Sequence, residues 1–238
     1  MKTIINILTL LIFFTFLSCG QKTKEKQSEI IKKQSKVVVA SFDTIDSHDF
    51  SLKNFKPLPK EYHHKDRAYL IEKIIPNTNY LYWECVFKDF DNEYERGHVI
   101  VYNGDKLLYS KIAKTINSNF GFFIECHPGA CFTYIVGVRA NKTVDTIDSE
   151  DKLKKFIGYI DNIEEVILSV KLNGYCFDSD TIVGGAYKER KNDYLLYLLD
   201  YSSTPVTYKS VKAILNKNGD FKVYDKTIYK QTDDYIMD

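Results

Sequence analysis

Short β-branched and aromatic runs, punctuated by dipeptides that reverse the chain, constrain this sequence most. Three Asn-Gly pairs stand between such runs: Asn103-Gly104, Asn173-Gly174 and Asn218-Gly219. Both residues tolerate the positive φ of a type I′ turn, whose twist suits two antiparallel strands. Read as hairpins, the pairs join 99–102 to 106–112, 166–172 to 175–177, and 207–215 to 221–229. Pro76-Asn77-Thr78-Asn79 reads as a turn between strands over 69–75 and 80–87. Lys191-Asn192-Asp193 links 186–190 to 194–199 in the same manner. Over 132–138, Phe132, Tyr134, Val136 and Val138 occupy one face and Thr133 the other, the two-residue period of a strand. A further β-branched run covers 36–42.

One segment has a clear helical period. Leu153, Phe156, Ile157 and Ile160 fall at i, i+3, i+4 and i+7, forming one apolar stripe. Asp148 or Ser149 supplies a cap, and Glu150 and Asp151 sit in the first turn, where the helix dipole favours anions. The sequence therefore predicts an α+β fold, predominantly antiparallel sheet built of hairpins, with one amphipathic helix near 149–161. The repeated helices that a parallel βαβ sheet requires are missing from this pattern. No Pro/Gly/Ser-rich linker interrupts 37–238, so a single β-rich domain is expected there, and a chain of this size buries about 70% of its unfolded surface. Asp-Thr-Ile-Asp-Ser occurs at 43–47 and again at 145–149. Without sustained self-similarity, each copy reads as a strand end turning into a helix cap.

The amino terminus carries an address. Met1-Lys2 is positive, 4–17 is an almost unbroken apolar run, and the small Ser18 precedes Cys19, which is the anatomy of a secretory signal peptide. A helix over 4–17 would span only about 21 Å, short of a ~30 Å hydrocarbon core. Phe16-Leu17-Ser18-Cys19-Gly20 resembles the lipobox of bacterial lipoproteins of the Bacteroidota type, with Phe16 where leucine is commoner. The resemblance implies a signal peptide over 1–18 and a Cys19 that becomes the lipidated, palmitate-bearing first residue. Gly20, where an Asp would signal inner-membrane retention, implies delivery to the outer membrane, facing the periplasm.

Charge separates tether from domain. Of 33 basic and 32 acidic residues, seven lysines and two glutamates precede residue 37, which leaves 26 and 30, a net of −4, for 37–238. Residues 19–36 thus read as a flexible basic tether. An acidic folded part lacks the cationic excess that phosphate backbones require, so nucleic acid is not an expected partner.

An exported location makes disulfides the first reading of the remaining cysteines. In Cys126-His127-Pro128-Gly129-Ala130-Cys131, a turn centred on Pro-Gly sets the two cysteines opposite each other as a non-hydrogen-bonded pair. Their Cα atoms would then lie ~4.5 Å apart, inside the window a disulfide uses. Cys85 and Cys176 pair by elimination. Asp89, Asp91 and Glu93 alternate as calcium ligands do, but Tyr94 and Ile100 stand where an EF-hand needs Gly and Glu, so no metal is expected. No cofactor motif occurs. Glu84 and Glu125 each precede a cysteine on an expected strand and are the candidate carboxylates for a glycosidase-like pair.

These features predict a lipid-anchored periplasmic protein with a non-catalytic binding or structural role. Its expected partners are the membrane, through the anchor, and an envelope protein or glycan. The alternatives are an envelope-polymer hydrolase using Glu84 and Glu125 or a Cys-His pair, and an immunity-type lipoprotein neutralising a periplasmic toxin.

Overall fold

Nine strands among the described residues pair antiparallel throughout and form two sheets. They are β1 (Lys56–Pro57), β2 (Tyr80–Lys88), β3 (His98–Gly104), β4 (Phe132–Arg139), β5 (Val144–Ile147), β6 (Ala186–Glu189), β7 (Asp193–Ser203), β8 (Val206–Asn216) and β9 (Phe221–Gln231). One sheet has the order β3-β2-β4-β5 and the other β1-β6-β7-β8-β9. Among the described residues four α-helices accompany them, α1 (Arg67–Glu72), α2 (Lys106–Ala113), α3 (Glu150–Ile157) and α4 (Ile163–Leu172), with short 3-10 turns at Ser47–Phe50 and Lys60–Tyr62. The fold is α+β and mostly antiparallel, as the turn pattern predicts. This computed structural model describes residues 47–62, 67–89, 96–123, 131–203 and 205–232. All of them belong to one compact unit, Val38–Asp238. The leader, Cys19, the tether and the strand expected over 36–42 lie outside the described residues.

Two of the expected hairpin turns form, at 191–193 and at 218–219. Asn218-Gly219 joins β8 to β9, with Gly219 at φ 90° and Asn216 Oδ1 accepting from the amides of Asn218 (2.9 Å) and Asp220 (3.0 Å). Arg190 clasps the β6–β7 turn. Its Nε and one terminal nitrogen donate to the two oxygens of the buried Asp193 at 2.6 and 2.7 Å, and its other terminal nitrogen donates to Asp49 at 2.9 Å. Such a bidentate pair is among the stronger hydrogen-bonded arrangements, and here it ties the N-terminal segment to the five-stranded sheet.

Three segments expected as strands are helices. Over 69–75, Leu70, Ile71 and Ile74 are the buried side chains, a helical spacing, and the first part of that stretch is α1. Over 106–112, Tyr109, Ile112, Ala113 and Ile116 pack against the β2–β4 sheet at i, i+3, i+4 and i+7, the stripe of α2. The third, α4, is apolar nearly all round because it is buried nearly all round, from Glu165 to Val170. A buried helix has no polar face to reveal its period. Its start is written elsewhere, in Asn162-Ile163-Glu164-Glu165. Asn162 Oδ1 accepts from the Glu165 amide at 2.8 Å, while the Glu165 carboxylate reaches back to the Asp161 amide (3.2 Å) and across to the Ile75 amide (2.9 Å). That is a variant of the capping box. Asn173-Gly174 therefore stops α4 instead of turning a hairpin, with Gly174 at φ 77° where helices commonly end. Pro76–Asn79 leads from α1 into β2, and Asn103-Gly104 leads from β3 into α2.

The principal core lies between the sheets. Trp83, Cys85 and Ile135 enter it from the four-stranded sheet, and Leu196, Leu198, Val211 and Ala213 from the five-stranded one. Helices α1, α3 and α4 fill the same cluster. Each fully buried Val, Leu or Ile contributes about 1.5–3 kcal/mol, so α4 is held by packing more than by propensity. The far face of the four-stranded sheet is covered by α2, and that of the five-stranded sheet by Phe50 and Phe55 around Tyr197.

Candidate functional site

Glu84, the first of the two carboxylates with a catalytic resemblance, is 1% exposed at the centre of β2. Its Oε1 receives a terminal nitrogen of Arg96, and its Oε2 receives the Tyr82 hydroxyl. Arg96 Nε donates to the Ile116 carbonyl at 2.8 Å, and the Tyr134 hydroxyl donates to the Arg96 carbonyl at 2.7 Å. Burial, reinforced by Glu84, pushes the Tyr82 phenol up. Burial also raises Tyr134 to about 12, against the opposing charge of Arg96. Both oxygens of Glu84 are therefore committed to structural donors under α2, a brace between β2, the start of β3 and the segment after α2. A carboxylate held there is not presented to a substrate.

Most of the remaining expected site residues fall outside the described residues. Glu125, Cys126, Asp91 and Glu93 lie outside the described residues. Asp89 is exposed just after β2, and among the described residues no three His, Cys, Asp or Glu side chains gather as a metal site. Cys131 is buried and disulfide-bonded, with its partner outside the described residues. The bridge expected between Cys85 and Cys176 does not form, and both thiols are free. Cys85 faces the inter-sheet core from β2, where burial pushes its thiol up. Cys176 is exposed and bridges Leu199 of the other sheet through its backbone. The two thiols stay apart because Cys85 is turned into the inter-sheet core and Cys176 is exposed.

The long outer strand β9 is an obvious place to look for strand addition, yet it is guarded. Its pairing to β8 shifts register twice, at Tyr208/Lys209 and Lys212/Ala213, and it carries Lys222, Lys226 and Lys230. Irregular pairing and lysines are the usual protections of a sheet edge.

A groove of about 420 Å³ lies instead at the β5 edge of the four-stranded sheet, between β5 and α3. Its floor depends on a missing side chain. Gly137 of β4 lets the Tyr80 ring lie across the strand, and a Cβ there would stand 2.5 Å from the ring's Cε1. The Tyr80 hydroxyl thereby reaches Asp145 Oδ2 at 2.7 Å, and Arg139 Nε donates to the same oxygen at 2.6 Å. The Arg139 guanidinium carbon lies 5.9 Å from the Tyr80 ring centre. Burial and then the Asp145 carboxylate raise the Tyr80 phenol to about 12.

The other wall is α3. Ser149 caps it, accepting from the Lys152 amide at 3.4 Å, so the second Asp-Thr-Ile-Asp-Ser segment is a strand end running into a cap, as its composition suggests. With Leu153, Phe156 and Ile157 buried, Lys152 and Lys155 fall on the groove side. Lys152 Nζ donates to Asp148 at 2.7 Å. Phe156 closes the inner end, its ring 5.5 Å from that of Tyr80, and its carbonyl accepts from the Asn77 amide at 2.7 Å. Tyr80, Asp145, Lys152 and Lys155 were not legible as a site, because they are spread over three elements that only the sheet register assembles. The repeated pentapeptide, the α3 stripe and the 76–79 turn each touched it, but none marked it as a site. No family model, curated protein or solved structure matches the chain.

Proposed function

We propose that this chain is a lipid-anchored envelope lipoprotein, delivered to the outer membrane and facing the periplasm, whose folded domain binds a ligand or partner in the β5–α3 groove without chemistry of its own. The observation that carries the binding half is the groove's preorganisation: Tyr80 and Arg139 converge on one oxygen of Asp145 beside two lysines of α3. Side chains locked in this manner lose little freedom when a ligand arrives. The locking of Glu84 by Arg96 and Tyr82 argues against the hydrolase reading, since its carboxylate would have to leave a buried ion pair to act. The anchor half rests on the leader and Cys19, with a Cys126–Cys131 bridge as part of the same exported chemistry.

Two measurements test the proposal. Growth with an alkyne analogue of palmitate should label the wild type and leave Cys19→Ala unlabelled; equal, background-level labelling of both refutes the anchor. A photo-crosslinking p-benzoylphenylalanine at position 146, in the groove, should form an adduct in living cells. The same residue at exposed position 53 should not. Identical behaviour at the two positions refutes the groove as the binding site.

A further inference from the structure

We propose that the ligand carries an oxyanion, a carboxylate or a phosphate, which the groove receives between Arg139 and Lys155. The inference rests on the groove being the binding site and adds the chemical class of what it takes.

Arg139 is held in place without being used up. Asp145 takes its Nε at 2.6 Å and the Tyr80 ring backs its guanidinium, while its two terminal nitrogens face no carboxylate among the described residues. Those two nitrogens are the part of the fork that matches an oxyanion bidentately. Lys152 is engaged with Asp148, but Lys155, one turn further along α3, lines the same groove and has no partner among the described residues. The lining carries three cations against a single carboxylate, Asp145. Asp145 receives both Tyr80 and Arg139 on one oxygen, so its charge is paired inside the site and serves to aim Arg139. Val144, Ile147 and Phe156 supply an apolar side for the ligand's carbon skeleton. An anion placed there would complete Arg139 and Lys155 together.

The test is an amide chemical-shift titration of the mature lipidated protein in neutral detergent. Inorganic phosphate, succinate and uncharged glycerol are added in separate arms at constant ionic strength. The expected result is saturable shifts at Thr146, Ser149 and Lys155 in the millimolar range with phosphate, succinate or both, and none with glycerol. Saturation by phosphate alone assigns a phosphoryl ligand, and saturation by succinate assigns a carboxylate. Lys155→Glu and Arg139→Gln should each weaken binding tenfold or more. Lys155→Arg should retain it, and the remote Lys53→Glu should not change it. Non-saturating shifts spread over the surface, equal shifts with glycerol, or equal behaviour of Lys155→Glu and Lys53→Glu would overturn the proposal. A silent titration together with a position-146 adduct in cells overturns the anion and leaves the groove standing, whereas loss of both removes the two together.

Discussion

Replacing Arg96 with methionine isolates what the buried brace contributes to the fold. The substitution keeps much of the side-chain volume and removes the charge that faces Glu84, a residue 1% exposed. Glu84 is then left with the Tyr82 hydroxyl alone among its hydrogen-bond partners here, and the bond from Arg96 Nε to the Ile116 carbonyl is lost as well. Breaking one partner of a buried pair costs about 3–5 kcal/mol, because the other charge remains buried without compensation. The Arg96 side chain is 15% exposed, and the water that reaches it places the expected loss near the lower limit, about 3 kcal/mol. With a urea slope of ~2 kcal/mol/M, the unfolding midpoint should fall by roughly 1.5 M, measured by tryptophan fluorescence of the buried Trp83. Combining Arg96→Met with Glu84→Leu removes both charges and should recover the stability to within about 1 kcal/mol of wild type. An Arg96→Met protein within ~0.5 kcal/mol of wild type, or a double variant no better than the single one, would refute the reasoning. It would also reopen Glu84 as a group free to act.

Further outcomes follow from the same geometry. Burial raises the phenols of Tyr62, Tyr80, Tyr82, Tyr134 and Tyr194, with Tyr80 and Tyr134 reaching about 12. Between the ordinary tyrosine value of ~10 and that point the folded protein holds more protons than the unfolded chain, so stability is intact below pH ~10 and falls as pH rises toward 12. Absorbance at 295 nm should therefore show a group of tyrosines that ionise only as the fold is lost; a single transition near pH 10 with the fold intact would contradict this. Gly137→Val forces a side chain into the Tyr80 ring and should cost about 1–3 kcal/mol, seen as a lower Tm, and should free the Tyr80 phenol to titrate lower; an unchanged Tm would be inconsistent with the packing. Ser149→Ala removes the cap of α3 and should cost ~1 kcal/mol, with faster amide exchange in its first turn; unaltered exchange there would argue that the cap is idle.

What could be read in advance followed the reach of each signal. The α3 stripe was legible because one face is buried and the other wet, so its period shows, and Ser149 stood where a cap belongs. The hairpins at 191–193 and 218–219 were legible because each turn lies between two strands that pair directly with one another. Asn173-Gly174 and Asn103-Gly104 misled for a physical reason: a residue that tolerates positive φ ends a helix as readily as it reverses a strand. The helix α4 was hidden by its own burial, and α1 by the β-branched Ile71 inside it and Ile74 and Ile75 just beyond it, which together make the stretch read as a strand. The site was the least legible part. Tyr80, Arg139 and Lys155 become neighbours only through the pairing of β2 with β4 and β4 with β5, and the absence of a side chain at Gly137 is what lets the first of them reach Asp145.

The most direct test of the binding account is hydrogen exchange of the lipidated protein, alone and after reconstitution with solubilised envelope from its own cells. The account predicts slowed exchange confined to 144–156, with β9 and the α2 face unchanged. Protection at β9 or over α2 with none along β5 and α3, or no protection anywhere, would contradict it.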